Sequence, residues 1–377
     1  MLSGIVSNLF GGISVGSVLL IAALGLAIIF GLMGVINMAH GELMMIGAYT
    51  TFMVQNVCKG TPFADFYIFP ALIVAFVVVG LFGLLLERLV VRHLYGRPLE
   101  TLLATWGVSL ILQQFVRSVS WQFLAGIAIF CLLFFGGNAA LQKFIGISKL
   151  GRLVLVVVYV AIAMFTGNLI TGPLARPWFG AQGVNLTAPT WLLGGIDIGN
   201  DRLPATRIFI IGLTVICVAA VYVFLNKSTW GLRIRAVTQN REMSACLGIP
   251  TDRVDALTFA LGCGLAGIAG VAVTLLGSTD PNTGMGYIID AFMVVVVGGV
   301  GKLIGAIIAA MTLGIANYLI AADAFSPLLG WAPPLADFFK FFSNSSMAKV
   351  MVFAAIFIFL QAKPAGLFPQ KGRTVDN

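Results

Sequence analysis

The sequence predicts an all-α protein that crosses a membrane many times. Of its 377 residues, 59% are hydrophobic and only 10% are charged, and the mean hydropathy is +1.03. A soluble domain has about 25% charged residues, so soluble globular proteins are excluded, as are disordered chains and disulfide scaffolds. The apolar runs are long and continuous, whereas a transmembrane β-barrel would show short alternating segments. Helices are therefore favoured.

The apolar runs divide into about 9–11 hydrophobic segments, because a helix needs about 20 apolar residues to cross the hydrocarbon core. Most are long, but 40–55 and 287–300 are short and rich in glycine. Short or interrupted segments in transporters are typical of broken helices beside the substrate path. In chain order the predicted segments lie at residues 11–36, 40–55, 66–86, 101–116, 121–137, 153–171, 207–225, 255–277, 287–300, 302–321 and 347–362.

The basic residues predict which linkers share a side of the membrane. Alternation of the spans places 87–100, 138–152, 226–255 and the tail 363–377 together, and these stretches carry 14 Lys or Arg against seven on the other side. Cytoplasmic loops are rich in Lys and Arg, so the C-terminus is predicted inside and the N-terminus outside. No basic residue precedes the first apolar run, which favours a retained first helix over a cleaved signal peptide.

A polar motif at residues 37–42, NMAHGE, separates the first two apolar runs. An ionisable side chain at bilayer depth costs about 2.5–3.5 kcal/mol, so His40 and Glu42 are expected to be paired or functional. The motif is either a polar turn that lines a pathway or a turn near the membrane surface in which Glu42 caps the next helix. Gly41 is expected to break the helix and act as a hinge.

Asp290 is an acidic residue inside the apolar run 287–297. The run GGVGK that follows resembles a phosphate-binding loop only in part, because Leu303 stands where Ser or Thr must hold magnesium. Nucleotide binding is therefore rejected here. Asp290 either borders a polar path near Lys302 or pairs with a neighbouring side chain. A hinge between two half-helices is predicted at Gly298, Gly299 and Gly301.

The loop 226–254 is the longest predicted cytoplasmic stretch. It contains a predicted short helix, 239–247, which Gly248 and Pro250 end. One interpretation is an ordinary solvated basic loop. The other is a short helix that presses into the groove of a partner protein. The residues of this predicted contact are Asn240, Arg241, Glu242, Ala245 and Gly248.

Metal and cofactor chemistry is not expected in this chain. Its five cysteines form no CxxC pair and it has only two histidines, so zinc and iron–sulfur sites are not favoured. The polar motif has no nucleophile motif beside it, which counts against an enzyme within the membrane.

Three motifs in order resemble the branched-chain amino acid and urea permeases of ATP-binding-cassette importers. The first is VINMAHGELMMIGAYTT at 35–51, and the last is DAFMVVVVGGVGKL at 290–303. Between them, GLRIRA at 231–236, NREMSACLGIP at 240–250 and DALTF at 255–259 are similar to the coupling region of that family. The sequence of residues 235–243 is similar to that of the B-type permease subunit of the urea importer. Residues 121–180 depart from the family pattern and are interpreted as an inserted helical hairpin.

The resemblance implies that residues 1–377 form one transmembrane permease domain of a bacterial inner membrane. It implies a second, related permease (the C-type permease of a urea importer), two cytoplasmic ATPases and a periplasmic substrate-binding protein, with no ATP site in this chain. Loop 226–254 would be the cytoplasmic coupling loop. No nucleic-acid partner is implied.

The leading hypothesis for the substrate is urea, and the alternative is a branched-chain amino acid. A passive urea or solute channel is a third hypothesis, against which the motor-docking loop counts. Urea is small, neutral and polar, so its path needs hydrogen-bonding groups without strong net charge. A branched-chain amino acid needs partners for its charged ends and an apolar pocket. The predicted pathway residues are Asn37, His40, Glu42, Thr50, Thr51, Gln113, Gln114 and Asp290.

Overall fold

Apolar α-helices form most of this computed structural model, which describes residues 2–62, 64–132, 158–160, 162, 177–179, 183–198, 201–324, 326, 333–364 and 366–368. The all-α architecture predicted from the sequence is confirmed. The helices are α1 Leu2–Met33, α2 His40–Cys58, α3 Ile68–Leu89, α4 Pro98–Ser118, α5 Trp121–Cys131, α6 Ala205–Lys227, α7 Thr229–Gln239, α8 Arg241–Cys246, α9 Thr251–Thr274, α10 Thr283–Gly298, α11 Leu303–Ala321, α12 Pro333–Phe341 and α13 Ser345–Ala362.

Within the described ranges, six helices are long and apolar enough to cross a membrane: α1, α3, α4, α6, α9 and α11. Helices α5, α10 and α13 are apolar but shorter. The two segments predicted to be short correspond to α2 and α10, which have 19 and 16 residues. Most of the predicted segment 153–171 lies outside the described residues.

The chain divides into two compact units, residues 1–109 with 185–377, and residues 110–184. In the first unit α9 lies at the centre and packs against α1, α2 and α3, while α1 also packs along α11. Glycines allow this packing, because a Cβ on Gly267 would lie 2.6 Å from the carbonyl oxygen of Ala75. Small residues at helix contacts let backbones approach closely in membrane proteins, so these helices form one closely packed bundle.

The second unit contains the predicted insertion, 121–180, most of which lies outside the described residues. Helix α5 begins after Ser120, whose hydroxyl oxygen accepts a hydrogen bond from the Phe123 amide at 3.1 Å. This is an ordinary N-cap. The rings of Trp121 and Trp178 meet edge to face with centroids 5.0 Å apart, which joins the two ends of the insertion.

The linker 172–206 contains a short β-hairpin, which its prolines and glycines gave no reason to predict. A short antiparallel hairpin pairs β1 Gly195–Ile198 with β2 Asp201–Pro204. Just before it, the Trp191 indole donates a hydrogen bond to the carbonyl of Asp65 at 2.8 Å and stacks on Phe69. Trp191 therefore secures the linker to the start of α3.

Three of the four stretches predicted to share a side of the membrane meet at one end of the bundle. Tyr95 from linker 87–100 lies under Arg241 from loop 226–255. Leu32, at the end of α1, packs against the apolar cluster of α7 and α9. The tail reaches the same end, because the Leu367 amide donates to the Val297 carbonyl at 2.8 Å. The fourth stretch, 138–152, lies outside the described residues.

Candidate functional site

The break between α1 and α2 forms a buried polar turn. It begins at Gly34, whose φ of 69° is in the left-handed region that favours glycine. Asn37 is fully buried, and its side-chain oxygen accepts a hydrogen bond from the Ala39 amide at 3.1 Å. Thr105 of α4 accepts a hydrogen bond from the Met38 amide at 3.1 Å. The turn is therefore held inside the bundle by α4.

The hinge predicted at Gly41 is wrong in position, because Gly41 lies in the first turn of α2 and the chain breaks earlier, at Gly34. Gly41 instead packs directly on the backbone of Gly284 in α10. Its lack of a side chain serves helix packing rather than a turn. At the second predicted hinge, Gly299 and Gly301 have φ of 96° and 76°, and they separate α10 from α11. The prediction is wrong for Gly298, which is the last residue of α10 and packs on the backbone of Gly305.

His40 and Glu42 join α2 to two different helices. His40 is fully buried, and its Nε2 lies 3.1 Å from the Ala22 carbonyl of α1. A carbonyl only accepts hydrogen bonds, so this nitrogen carries the proton. Glu42 is also buried, and its Oε1 accepts a hydrogen bond from the Ser109 hydroxyl of α4 at 3.2 Å. The motif thus combines a buried turn with side-chain contacts to α1 and α4.

Thr50 and Thr51, two other predicted pathway residues, lie further along α2 than the polar turn. The hydroxyls of Thr50 and Thr51 donate to carbonyls four residues earlier, at 2.7 and 2.8 Å, within α2. Gln113 and Gln114 belong to the second unit, where Gln113 is buried and Gln114 is exposed. Within the first unit, Asn37, His40 and Glu42 lie together in and beside the polar turn.

Asp290, in the middle of α10, forms an ion pair with Lys349 of α13, with Nζ and Oδ2 2.7 Å apart. Asp290 is buried and the Lys349 side chain is 37% exposed. The pair borders a cavity of about 10 Å³, room for about one water molecule. The cavity is also lined by Asn317 and by the apolar side chains of Met293, Leu313, Val352, Phe353 and Ile356. Asp290 thus has a neighbouring partner, which is one of its two predicted roles.

A second network of charges lies at the end of the bundle that carries loop 226–254. Arg241, at the start of α8, contacts Asp255 of α9 with Nη2 and Oδ2 2.8 Å apart. Its guanidinium carbon lies 4.8 Å from the ring centroid of Tyr95. Glu87, fully buried in the last turn of α3, accepts hydrogen bonds from Arg92 and from the Tyr95 hydroxyl. Glu87, Tyr95 and Asp255 were not among the residues singled out from the sequence.

Loop 226–254 contains two helices rather than the single predicted helix 239–247. Helix α7 ends at Gln239, and Asn240 then caps α8 because its side-chain oxygen accepts the Met243 amide at 2.9 Å. An asparagine N-cap favours a fresh helix start, which the prediction overlooked. Gly248, with φ of 81°, ends this segment.

Helix α8 presents an apolar surface to its surroundings. The side chains of Met243 and Leu247, four residues apart, are 59% and 75% exposed, and Ala245 is also exposed, whereas Ser244 is buried. Residues four apart share one helix face. Exposed apolar side chains in this arrangement are suited to a protein contact.

The chain is similar to known permeases over most of its length. Residues 8–360 match the family described as branched-chain amino acid transport system / permease component. The high-affinity branched-chain amino acid transport system permease protein LivH of Salmonella typhimurium is 27% identical over 319 residues, which cover 84% of this chain and 85% of LivH. BraD of Pseudomonas aeruginosa, a permease of the same description, is 26% identical over 322 residues, covering 84% and 86%.

A more limited likeness extends to a sugar importer. The ribose import permease protein RbsC of Escherichia coli is 31% identical over 134 residues, which cover 33% of this chain and 40% of RbsC. No solved structure matches the chain. Because the family match spans residues 8–360, the chain belongs to the branched-chain amino acid transport system / permease component family.

Proposed function

We propose that this chain is the transmembrane subunit of an ATP-binding-cassette importer that carries branched-chain amino acids across a bacterial inner membrane. The observation that carries this proposal is the likeness to LivH and BraD over more than four-fifths of the chain. Both relatives are named for branched-chain amino acid transport, and neither is a urea permease. The urea hypothesis, which the sequence of residues 235–243 favoured, therefore becomes the alternative to a branched-chain amino acid.

The Asp290–Lys349 pair supports an amino acid rather than urea as the substrate. An amino acid is a zwitterion, so a passage for it must offer partners for an ammonium and a carboxylate group. Asp290, in the middle of α10, and Lys349, near the start of α13, supply one charge of each sign. The side chains that line the water-sized cavity beside them are mostly apolar, which is the character that a passage for an aliphatic side chain requires. Urea is neutral and has no charged group that requires an ionic partner of either sign.

The polar turn at Asn37, His40 and Glu42 is proposed as a fixed part of the same pathway wall. Ionisable groups inside membrane segments are costly unless they are paired or face a polar cavity. His40 and Glu42 have partners on α1 and α4, so they set the positions of these helices around α2. Thr50, Thr51, Gln113 and Gln114 remain proposed pathway residues.

Energy is proposed to enter through residues 239–249. ATP hydrolysis would take place in two cytoplasmic partner subunits, and a second permease and a periplasmic substrate-binding protein would complete the importer. Helix α8 supports this role because it is short and exposes Met243, Ala245 and Leu247. Apolar side chains of this kind fill a partner's groove.

The test is uptake by the complete importer in sealed vesicles, with labelled leucine and labelled urea supplied to parallel samples. We expect ATP-dependent uptake of leucine that excess isoleucine or valine inhibits and excess urea does not. Saturable urea uptake without leucine uptake would overturn the substrate proposal and restore the urea hypothesis. Leucine that only equilibrates across the membrane, at the same rate with and without ATP, would favour a passive channel.

A further inference from the structure

We propose that Arg241 is a positioning residue that fastens α8 to the membrane-spanning helices α3 and α9, so that movement imposed on α8 is transmitted to both. This inference rests on the proposed role of α8 in receiving force from an ATPase. It assigns Arg241 a different task from the predicted contact with the ATPase itself, because its contacts are made within this chain.

The first half of the attachment joins α8 to α9. Arg241 occupies the first position of α8, and its Nη2 lies 2.8 Å from Oδ2 of Asp255 and 3.7 Å from Oδ1 of Asp252. The Arg241 guanidinium and the Asp255 carboxylate are close enough to form an ion pair, but they are not aligned for a hydrogen bond. The Asp255 side chain is only 6% exposed. A carboxylate so far removed from water requires a nearby cation, and the arrangement supplies Arg241.

The second half joins α8 to α3 through an aromatic ring. The Arg241 guanidinium lies over the ring of Tyr95 at 4.8 Å, within the range of a cation–π interaction. The Tyr95 hydroxyl donates to Oε1 of Glu87 at 3.3 Å, and Glu87 is part of α3. Burial, followed by the charges of Asp255 and Glu87, raises the pKa of Tyr95, so the hydroxyl keeps the proton that it donates.

The Glu87 carboxylate is itself fixed by a second arginine. Arg92 approaches both oxygens of Glu87, with Nε and Nη2 at 3.3 and 3.4 Å. Two-point contacts between guanidinium and carboxylate set orientation as well as distance. The acceptor that holds Tyr95 therefore has a defined place at the end of α3. Through Tyr95, Arg241 is linked to α3 as well as to α9.

Helix α8 needs such an attachment because it cannot hold itself in place. It has six residues, and isolated helices shorter than about 12–15 residues are marginal in water. It exposes its apolar residues Met243 and Leu247 rather than burying them in this chain. It is also bounded by Asn240, a capping residue, and by Gly248 with its positive φ. Glycine is conformationally permissive, so the Gly248 boundary does not by itself fix the direction of the helix.

The variants separate a positioning role from a partner contact. Arg241→Gln removes the cation, and Arg241→Lys retains the charge without the planar stacking group. The double variant Arg241→Asp with Asp255→Arg restores an ion pair of reversed direction. The matched control is Arg97→Gln, because Arg97 forms an exposed ion pair with Glu100 in a neighbouring linker, and such pairs contribute little.

Two readouts are made on the assembled complex. In the first, ATP hydrolysis and leucine uptake are measured in the same vesicles, and we expect Arg241→Gln to retain ATPase binding and hydrolysis while leucine transported per ATP falls about fivefold or more. Arg241→Lys and the reversed pair should recover part of this ratio, and Arg97→Gln should match the unaltered protein. An equal loss of ATPase co-purification and transport would identify Arg241 as a partner contact and overturn the proposal.

The second readout is amide hydrogen exchange of residues 241–248, which needs no transported substrate. Exchange should be faster in Arg241→Gln than in the unaltered complex and should slow again in the reversed pair. Unchanged exchange would overturn the attachment even if transport fell, whereas absence of leucine uptake by the unaltered importer would count only against the proposed function.

Should Arg241→Gln fail to accumulate, Tyr95→Leu and Tyr95→Phe replace it. We expect faster exchange in Tyr95→Leu, which loses the aromatic ring, than in Tyr95→Phe, and equal exchange would contradict the account.

Discussion

Gly267 lies where α9 presses against α3, and replacing it with alanine should destabilise the protein. The added Cβ would lie 2.6 Å from the Ala75 carbonyl oxygen and 3.0 Å from the Cβ and Cγ2 of Val79. Close carbon–oxygen contacts in proteins fall at about 3.3–3.6 Å, so the oxygen contact is short by roughly 0.7 Å. The oxygen belongs to the backbone of α3 and cannot turn away. The two helices must therefore separate, and overpacking of this kind costs about 1–3 kcal/mol.

The assay is the unfolding temperature of the purified chain in detergent, compared with that of Gly212→Ala. Gly212 lies in α6, and a Cβ there would meet nothing within 4 Å. Alanine is favoured over glycine in a helix by up to about 1 kcal/mol, so this control should be neutral or stabilised. The same shift in both variants, or a rise in Gly267→Ala, would refute the packing argument.

Three further changes test other parts of the molecule. Lys349→Gln leaves the buried Asp290 carboxylate without its cation and should lower stability by about 1–3 kcal/mol. The loss should be smaller than for a fully buried pair because the lysine is partly exposed. Thermal unfolding checks this with Lys340→Gln as the control, and equal unfolding temperatures for the two variants would contradict it. Ala245→Trp should abolish ATP-driven uptake by obstructing the ATPase contact while the chain remains in the membrane; normal uptake would place the contact elsewhere. Lys371→Cys, in a background without other cysteines, should resist an impermeant thiol reagent added outside intact cells; rapid labelling would reverse the predicted orientation.

The helices could be predicted because each long apolar run must form its own backbone hydrogen bonds in the membrane. Helix α3, predicted at 66–86 and observed at Ile68–Leu89, shows how closely this physical requirement sets an element. The elements that were missed lie outside the apolar runs. Helix α12, Pro333–Phe341, begins with two prolines. It is absent from the predicted segments, although proline is tolerated in a first helical turn.

The partners of charged residues could not be predicted, because they depend on which helices become neighbours. Asp290 and Lys349 are 59 positions apart, and Glu42 and Ser109 are 67 apart. Hydrophobic periodicity gives no sign of either pairing. Arg241 is a related case, since an arginine in a polar loop suggests an exposed contact. Only the folded arrangement places Asp255 and Tyr95 beside it.

The role of Gly41 shows a limit of motif reasoning. A glycine between polar residues suggested a backbone break, because glycine accepts turn conformations at little cost. The same absence of a side chain also allows two helices to touch, and Gly41 serves this second purpose against Gly284. Sequence alone does not separate the two uses, whereas the φ of Gly34 identifies the residue that turns the chain.

The central claim, that this chain forms part of an ATP-driven importer for branched-chain amino acids, is tested most directly by accumulation against a gradient. Sealed vesicles containing the complete importer are loaded with unlabelled leucine at a concentration above that outside, and labelled leucine is then added outside with the binding protein. The account predicts a net rise in internal leucine when ATP is supplied to the ATPase side, and none with a non-hydrolysable analogue. Net outward flow of leucine in both conditions would contradict it.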